Sequence, residues 1–113
     1  MRALRIAPEV SEVIEIDNTL PSLQEAVGGY IDVVTLYQYN VVMIVDDEGL
    51  LKGYPFNPAA SILANRTIVG TVLLLSTEGE EFTDLDEIFS EVFLQLTEDV
   101  IRDYQRLCKE AES

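Results

Sequence analysis

The sequence predicts an α+β fold: a mainly antiparallel sheet of about five or six strands, two short helices and a long C-terminal helix. Three observations predict it. Short apolar runs, alternating or β-branched, are separated by turn residues as far as Ser76. Two segments among them carry helix caps. From Thr83 onward, apolar residues recur at three and four positions with no glycine or proline between them.

The elements follow in order. Leu4 and Ile6, then Val13, Ile14 and Ile16, lie on either side of Pro8 and predict a first hairpin. The period then changes. Thr19 or Ser22 offers an N-cap, Glu25 stands three residues after Ser22 as in a capping box, and Leu20, Leu23 and Val27 share one face of a short helix. Gly28 and Gly29 end it, because glycine reaches positive φ without a Cβ penalty. YIDVVTLY (Tyr30–Tyr37) and both halves of NVVMIVDDEGLLKGYPF (Asn40–Phe56) read as strands, with Asp46–Gly49 as a tight turn. Asp46, Asp47 and Glu48 are adjacent and lack the alternating spacing of a calcium loop, so no metal site is expected there.

Asn57 before Pro58 is an N-cap followed by proline at the first helical position, and Asn65 ends this second short helix. TIVGTVLLLST, from Thr67, is the most hydrophobic run and predicts a central strand covered on both faces. After the polar STEGEEF, Thr83 with Asp86 three residues on opens the long helix. From Asp84 to Ala111 that helix would measure about 42 Å, against roughly 30 Å for the rest of the globule. It must either break near Thr97 or rest its far end on a partner. Phe89, Phe93, Leu96, Val100 and Tyr104 are the expected interface of a homo-oligomer, at least a dimer.

Composition narrows the chemistry. The 113 residues, 48% hydrophobic, make one domain over 1–113, with 1–80 as the α+β core and 81–113 as an acidic amphipathic helix. There is one cysteine, Cys108, and no histidine, which excludes an internal disulfide, a histidine-containing zinc site and Ser-His or Cys-His catalysis. No signal peptide and no membrane span are read from the sequence, so a cytoplasmic protein is expected. Net charge is −14, with nine acidic and four basic residues up to Ser76 and twelve and three beyond it. Such a balance repels nucleic acid and anionic membrane.

The succession VGGYIDVV, DDEG, LLKGYPFNPAASILA and IVGTVLLL resembles a family of small domains from phages and mobile genetic elements whose hallmark is a GGYIE segment. The likeness covers roughly residues 1–80, with Asp32 in place of the hallmark glutamate and Tyr54 where an aliphatic residue is common. The resemblance implies no activity, but its setting implies a counter-defence role.

Three function classes fit these observations. The first is a non-enzymatic protein that sequesters a small anionic, nucleotide-type ligand in an oligomeric pocket formed by Tyr30, Lys52, Asn57, Arg66 and Arg5. The second is an acidic mimic of nucleic acid that presents Glu80, Glu81, Asp84 and Glu87 to a DNA-binding host defence protein. The third is a small enzyme. It ranks last because sequence spacing picks out no catalytic residue, metal cluster or cofactor motif.

Overall fold

The computed structural model describes residues 1–36 and 40–112. The elements are β1 (Arg2–Ile6), β2 (Ser11–Glu15), α1 (Leu20–Val27), β3 (Ile31–Leu36), β4 (Val41–Asp46), α2 (Pro58–Ala64), β5 (Val72–Glu78), β6 (Glu81–Thr83) and α3 (Glu87–Glu112). All strand pairs are antiparallel, in the order β2-β1-β5-β4-β3, with β6 also on β5. The fold is α+β, as the patterning predicts.

Helices cover both faces of the sheet. Leu23 and Val27 of α1 pack on Ala3, Val42, Ile44, Leu73 and Leu75. On the opposite face, Ala59 and Ala60 of α2 and Phe93 and Ile101 of α3 pack on Leu4, Ile6, Met43 and Leu74. Every residue of β4 and the first four of β5 are therefore buried. Full burial of each such leucine contributes roughly 1.5–3 kcal/mol. β5 is the middle strand, as its β-branched, apolar run predicts.

Several boundaries differ from the expectation. Leu50–Phe56 is not a strand but a chain of turns: Lys52 N–H donates to Glu48 C=O, Gly53 to Leu50 and Tyr54 to Gly49. Leu51 is left 87% exposed. The last run begins its strand only at Val72, because Gly70 at φ +76° turns the chain, and Val69 bridges Phe56 alone. The sixth strand is supplied instead by the STEGEEF segment, which folds back at Gly79 so that Thr83 ends β6 rather than capping α3. Asp86 caps α3, its Oδ1 accepting from the N–H groups of Ile88 and Phe89 at 3.0 and 3.2 Å. Thr19, not Ser22, caps α1. Strand β3 starts at Ile31, after Tyr30, and Tyr37 lies outside the described residues.

The long helix does not break. Its 26 residues run straight past Thr97, whose fully buried hydroxyl bonds its own helix at the Phe93 carbonyl and meets Ser11 Oγ of β2 at 2.6 Å. At about 1.5 Å per residue it is about 39 Å long. Phe93, only 8% exposed, closes the chain's own core, and Phe89 and Val100 pack against it. Of the five residues expected at a partner interface, Leu96 and Tyr104 remain exposed.

Candidate functional site

The five side chains expected to line one pocket sit in different local settings. Tyr30 is 72% exposed just ahead of β3. Asn57 is completely buried: its Oδ1 accepts from Ala60 N–H at 3.0 Å, and its Nδ2 donates to the carbonyls of Ile6 and Gly70 at 3.0 and 2.8 Å. That amide is committed to joining α2, β1 and the approach to β5. Arg5, on the α1 side of the sheet, pairs with Glu12 at 3.3 Å. Arg66 lines a depression of about 330 Å³ together with Asp32, Asp46 and Asp47, a setting that disfavours an anion.

Lys52 is already paired. Its Nζ donates to Asp46 Oδ2 at 2.8 Å and to the Gly28 carbonyl at 3.0 Å, and it lies 5.7 Å from the centre of the Tyr54 ring. The Tyr54 hydroxyl reaches the same carbonyl at 3.4 Å, and Asp46 Oδ1 accepts from Glu48 N–H at 2.9 Å. This cluster ties the end of α1 to the turn after β4. It also explains the two glycines. Gly28 sits at φ +100°, whereas a Cβ on Gly29 would collide with Lys52 Nζ and stand 2.9 Å from Asp46 Oδ2. One glycine is needed for its backbone conformation, the other for the room it leaves to an ion pair.

The pair sets a pH dependence. Burial pushes the Asp46 carboxyl up, but the hydrogen bonds from Lys52, Glu48 N–H and Tyr54, with the lysine charge, outweigh it and hold the group below the usual carboxylate range. Lys52 is held above its usual range, first by its hydrogen bond to Asp46. Because the Asp46 pKa is depressed by folding, its contribution is complete above the ordinary value near pH 4 and is lost as pH falls through the folded value. The lysine's share is present at neutral pH and is lost only in strong alkali. In urea titrations, Asp46→Asn should therefore lose less stability than the parent between about pH 4 and pH 2.

Another cavity lies elsewhere. A groove of about 760 Å³ opens between the last turns of α3 and the segments around Pro8 and Pro55. Phe56 and Tyr104 line it, their ring centroids 5.8 Å apart. Arg102, Arg106 and Lys109 line it as well, three of the seven basic residues of the chain, against one carboxylate, Glu9. Arg102 contacts Asp99 at 2.9 Å and Arg106 contacts Asp103 at 3.7 Å, in pairs open to solvent that are worth roughly 0–1 kcal/mol each. The Tyr104 phenol is held above its usual pKa, first by a hydrogen bond with Cys108 and then by that group's charge. It stays neutral at physiological pH.

Sequence reasoning named Tyr104 only as an interface residue and missed the groove. One signal was present: Arg102, Arg106 and Lys109 are spaced by four and three residues, which sets them on one face of α3. Nothing local pointed to Pro8, Pro55 or Phe56.

The acidic residues expected to mimic a polyanion are all exposed. Glu80 and Glu81 lie on the β5–β6 hairpin and Glu87 opens α3, while Asp84 Oδ1 accepts from Arg2 N–H at 2.6 Å. Among the described residues no three His, Cys, Asp or Glu side chains converge as a metal site, and no helix is long and apolar enough to cross a membrane.

Neither the curated proteins nor the solved structures contain a match to this chain. A family described as "Domain of unknown function (DUF3846)" matches residues 1–109, and so takes in α3, which lies beyond the 1–80 covered by the GGYIE-type resemblance. A match of that extent, over the whole sheet, α1, α2 and most of α3, makes the chain a member of the DUF3846 family.

Proposed function

We propose that the protein is a non-enzymatic binding protein that sequesters a small anionic ligand of the nucleotide type in the groove beside Phe56 and Tyr104. One observation carries this reading: two aromatic rings and three cations face a single cavity in a chain whose net charge is −14. Stacking a base on such a ring is worth roughly 1–3 kcal/mol, and a guanidinium accepts a phosphate through two parallel hydrogen bonds. The exposed pairs of Arg102 and Arg106 with Asp99 and Asp103 are weak enough for a phosphate to displace.

Net charge then acts as a filter. A long nucleic acid meets the whole negative surface, whereas a small ligand inside the groove meets mainly the cations within a Debye length of about 10 Å. Glu9 is the one carboxylate of the lining, so general acid–base chemistry finds no second carboxylate there and binding without turnover is favoured. The likeness of the GGYID stretch to domains of phages and mobile elements supports a counter-defence role, with a nucleotide signal of host immunity as the ligand. The reading as a mimic of nucleic acid ranks second, because one of its four carboxylates, Asp84, is already held by the Arg2 backbone N–H.

Calorimetric titration with adenosine and guanosine mono- and diphosphates and with cyclic dinucleotides tests the proposal. At least one should bind at micromolar concentration and be recovered intact from the denatured complex. Reversing Arg106 and Lys109 to glutamate should weaken that binding at least tenfold, about 1.4 kcal/mol. Failure of every nucleotide to bind the parent, or binding indifferent to the reversal, would remove the groove from consideration.

A further inference from the structure

We infer that the outer edge of β3 is a homodimer interface, at which β3 pairs antiparallel with the β3 of a second copy about a two-fold axis through Val33. Among the described residues no strand pairs with that edge, which ends the sheet. The ladder shows which groups it presents. Asp47 N–H donates to the Tyr30 carbonyl at 2.8 Å, so residue 30 and the even residues of β3 turn their backbone groups toward β4. Alternation then directs the N–H and C=O groups of Ile31, Val33 and Thr35 outward. The Val33 N–H is held at 2.9 Å by the Asp32 carboxylate, a local stand-in for an acceptor that no neighbouring strand supplies.

Charge decides the occupant. The opposite edge, β2, exposes Glu12 and Glu15, so two copies meeting there would bring carboxylates together. β3 reads IDVVTL and has a single charge. With Val33 opposite the partner's Val33, Ile31 faces the partner's Thr35 and Asp32 faces the partner's Val34, so no like charges are opposed. Tyr30, 72% exposed and without an assigned role, then faces the partner's Leu36, an aromatic–aliphatic cross-strand pair. Each of the three outward residues can exchange both of its backbone hydrogen bonds, and the partner's Val33 carbonyl replaces the Asp32 side chain. A lone edge strand of this length and composition is a template for pairing, and a second copy matches its register, charge and side chains.

The test does not depend on any ligand. In a Cys108→Ser background, Val33→Cys places two thiols across the axis at a Cα separation of about 5.5 Å, inside the range a disulfide spans. Mild oxidation should cross-link it to a covalent dimer. Thr35→Cys, opposite the partner's Ile31 and far from the partner's Thr35, should not cross-link. Light scattering on the parent at micromolar concentration should give the mass of a dimer. Val33→Pro, which deletes only an outward N–H, should give a folded monomer. A monomeric parent, or a dimer in which position 33 does not cross-link in preference to position 35, would overturn the inference.

Discussion

Replacing Asn57 with alanine should destabilise the protein by about 3 kcal/mol and lower its melting temperature by on the order of 10 °C. The loss has two parts. The N-cap bond to Ala60 N–H disappears, which by itself costs roughly 1 kcal/mol. The carbonyls of Ile6 and Gly70, both facing a completely buried amide, then lose their donor, at roughly 1–3 kcal/mol each before any water enters the space left. Asn57→Asp separates the parts. It keeps the capping acceptor but turns a carboxylate oxygen toward two carbonyl oxygens, so it should be no better than alanine. Thermal melts of the three proteins read the result, and an unchanged melting temperature in Asn57→Ala would show that the amide is not structural.

Gly70→Ala should cost about 3 kcal/mol, shared between its backbone conformation and a clash with Tyr54. Gly70 stands at φ +76°, which costs an L-residue roughly 1–2 kcal/mol. Its Cβ would also lie 2.6 Å from Tyr54 Cδ2, 3.2 Å from Cγ and 3.3 Å from Cβ. The close atoms include the root of the side chain, so the ring cannot swing clear by a rotamer change alone, and overpacking adds roughly 1–3 kcal/mol. Gly53 provides the control. It has nearly the same φ, +72°, with nothing within 4 Å of its Cβ, so Gly53→Ala should show the backbone cost alone. In a Tyr54→Ala background, which keeps only the Cβ contact, most of the extra cost at Gly70 should disappear, a coupling that a double-mutant cycle measures directly. Equal losses at both glycines in the parent would refute the clash.

Both experiments bear on function through position. Asn57 and Gly70 fix the segment that carries Tyr54, Pro55 and Phe56, and thereby one wall of the groove whose other wall is the end of α3. Lys52 and Asp46 fix the same turn from the side of α1. Residues that read as ligand contacts in the sequence thus hold the segment that forms one wall of the proposed groove.

The features legible in the sequence by itself were those that depend on neighbours a few residues away. Thr19 and Asn57 cap helices because a side-chain oxygen reaches the N–H three residues on, and Gly28 and Asn65 end them at positive φ. The middle position of β5 and the existence of a long amphipathic α3 were likewise written in local periodicity, though not which of its residues are buried. The α+β class and the charge distribution needed nothing more. Tertiary structure alone decided the rest. Leu50 and Leu51 have the composition of a strand, yet the turns that bond Lys52, Gly53 and Tyr54 back to Glu48, Leu50 and Gly49 leave that segment without a strand partner. Phe93 and Leu96 belong to one apolar stripe in the sequence, but the face α3 turns to the core runs through Ser90, Phe93, Thr97 and Ile101 and leaves Leu96 exposed. Lys52 has the sequence of a free cation and becomes the partner of Asp46 and of a carbonyl 24 residues away. Pro8, Phe56 and Arg106 meet in the groove only because β1, the lead-in to α2 and the far end of α3 converge there. Periodicity states which face of an element is apolar; which other element covers that face, and which charges it brings together, depends on contacts between residues far apart in the chain.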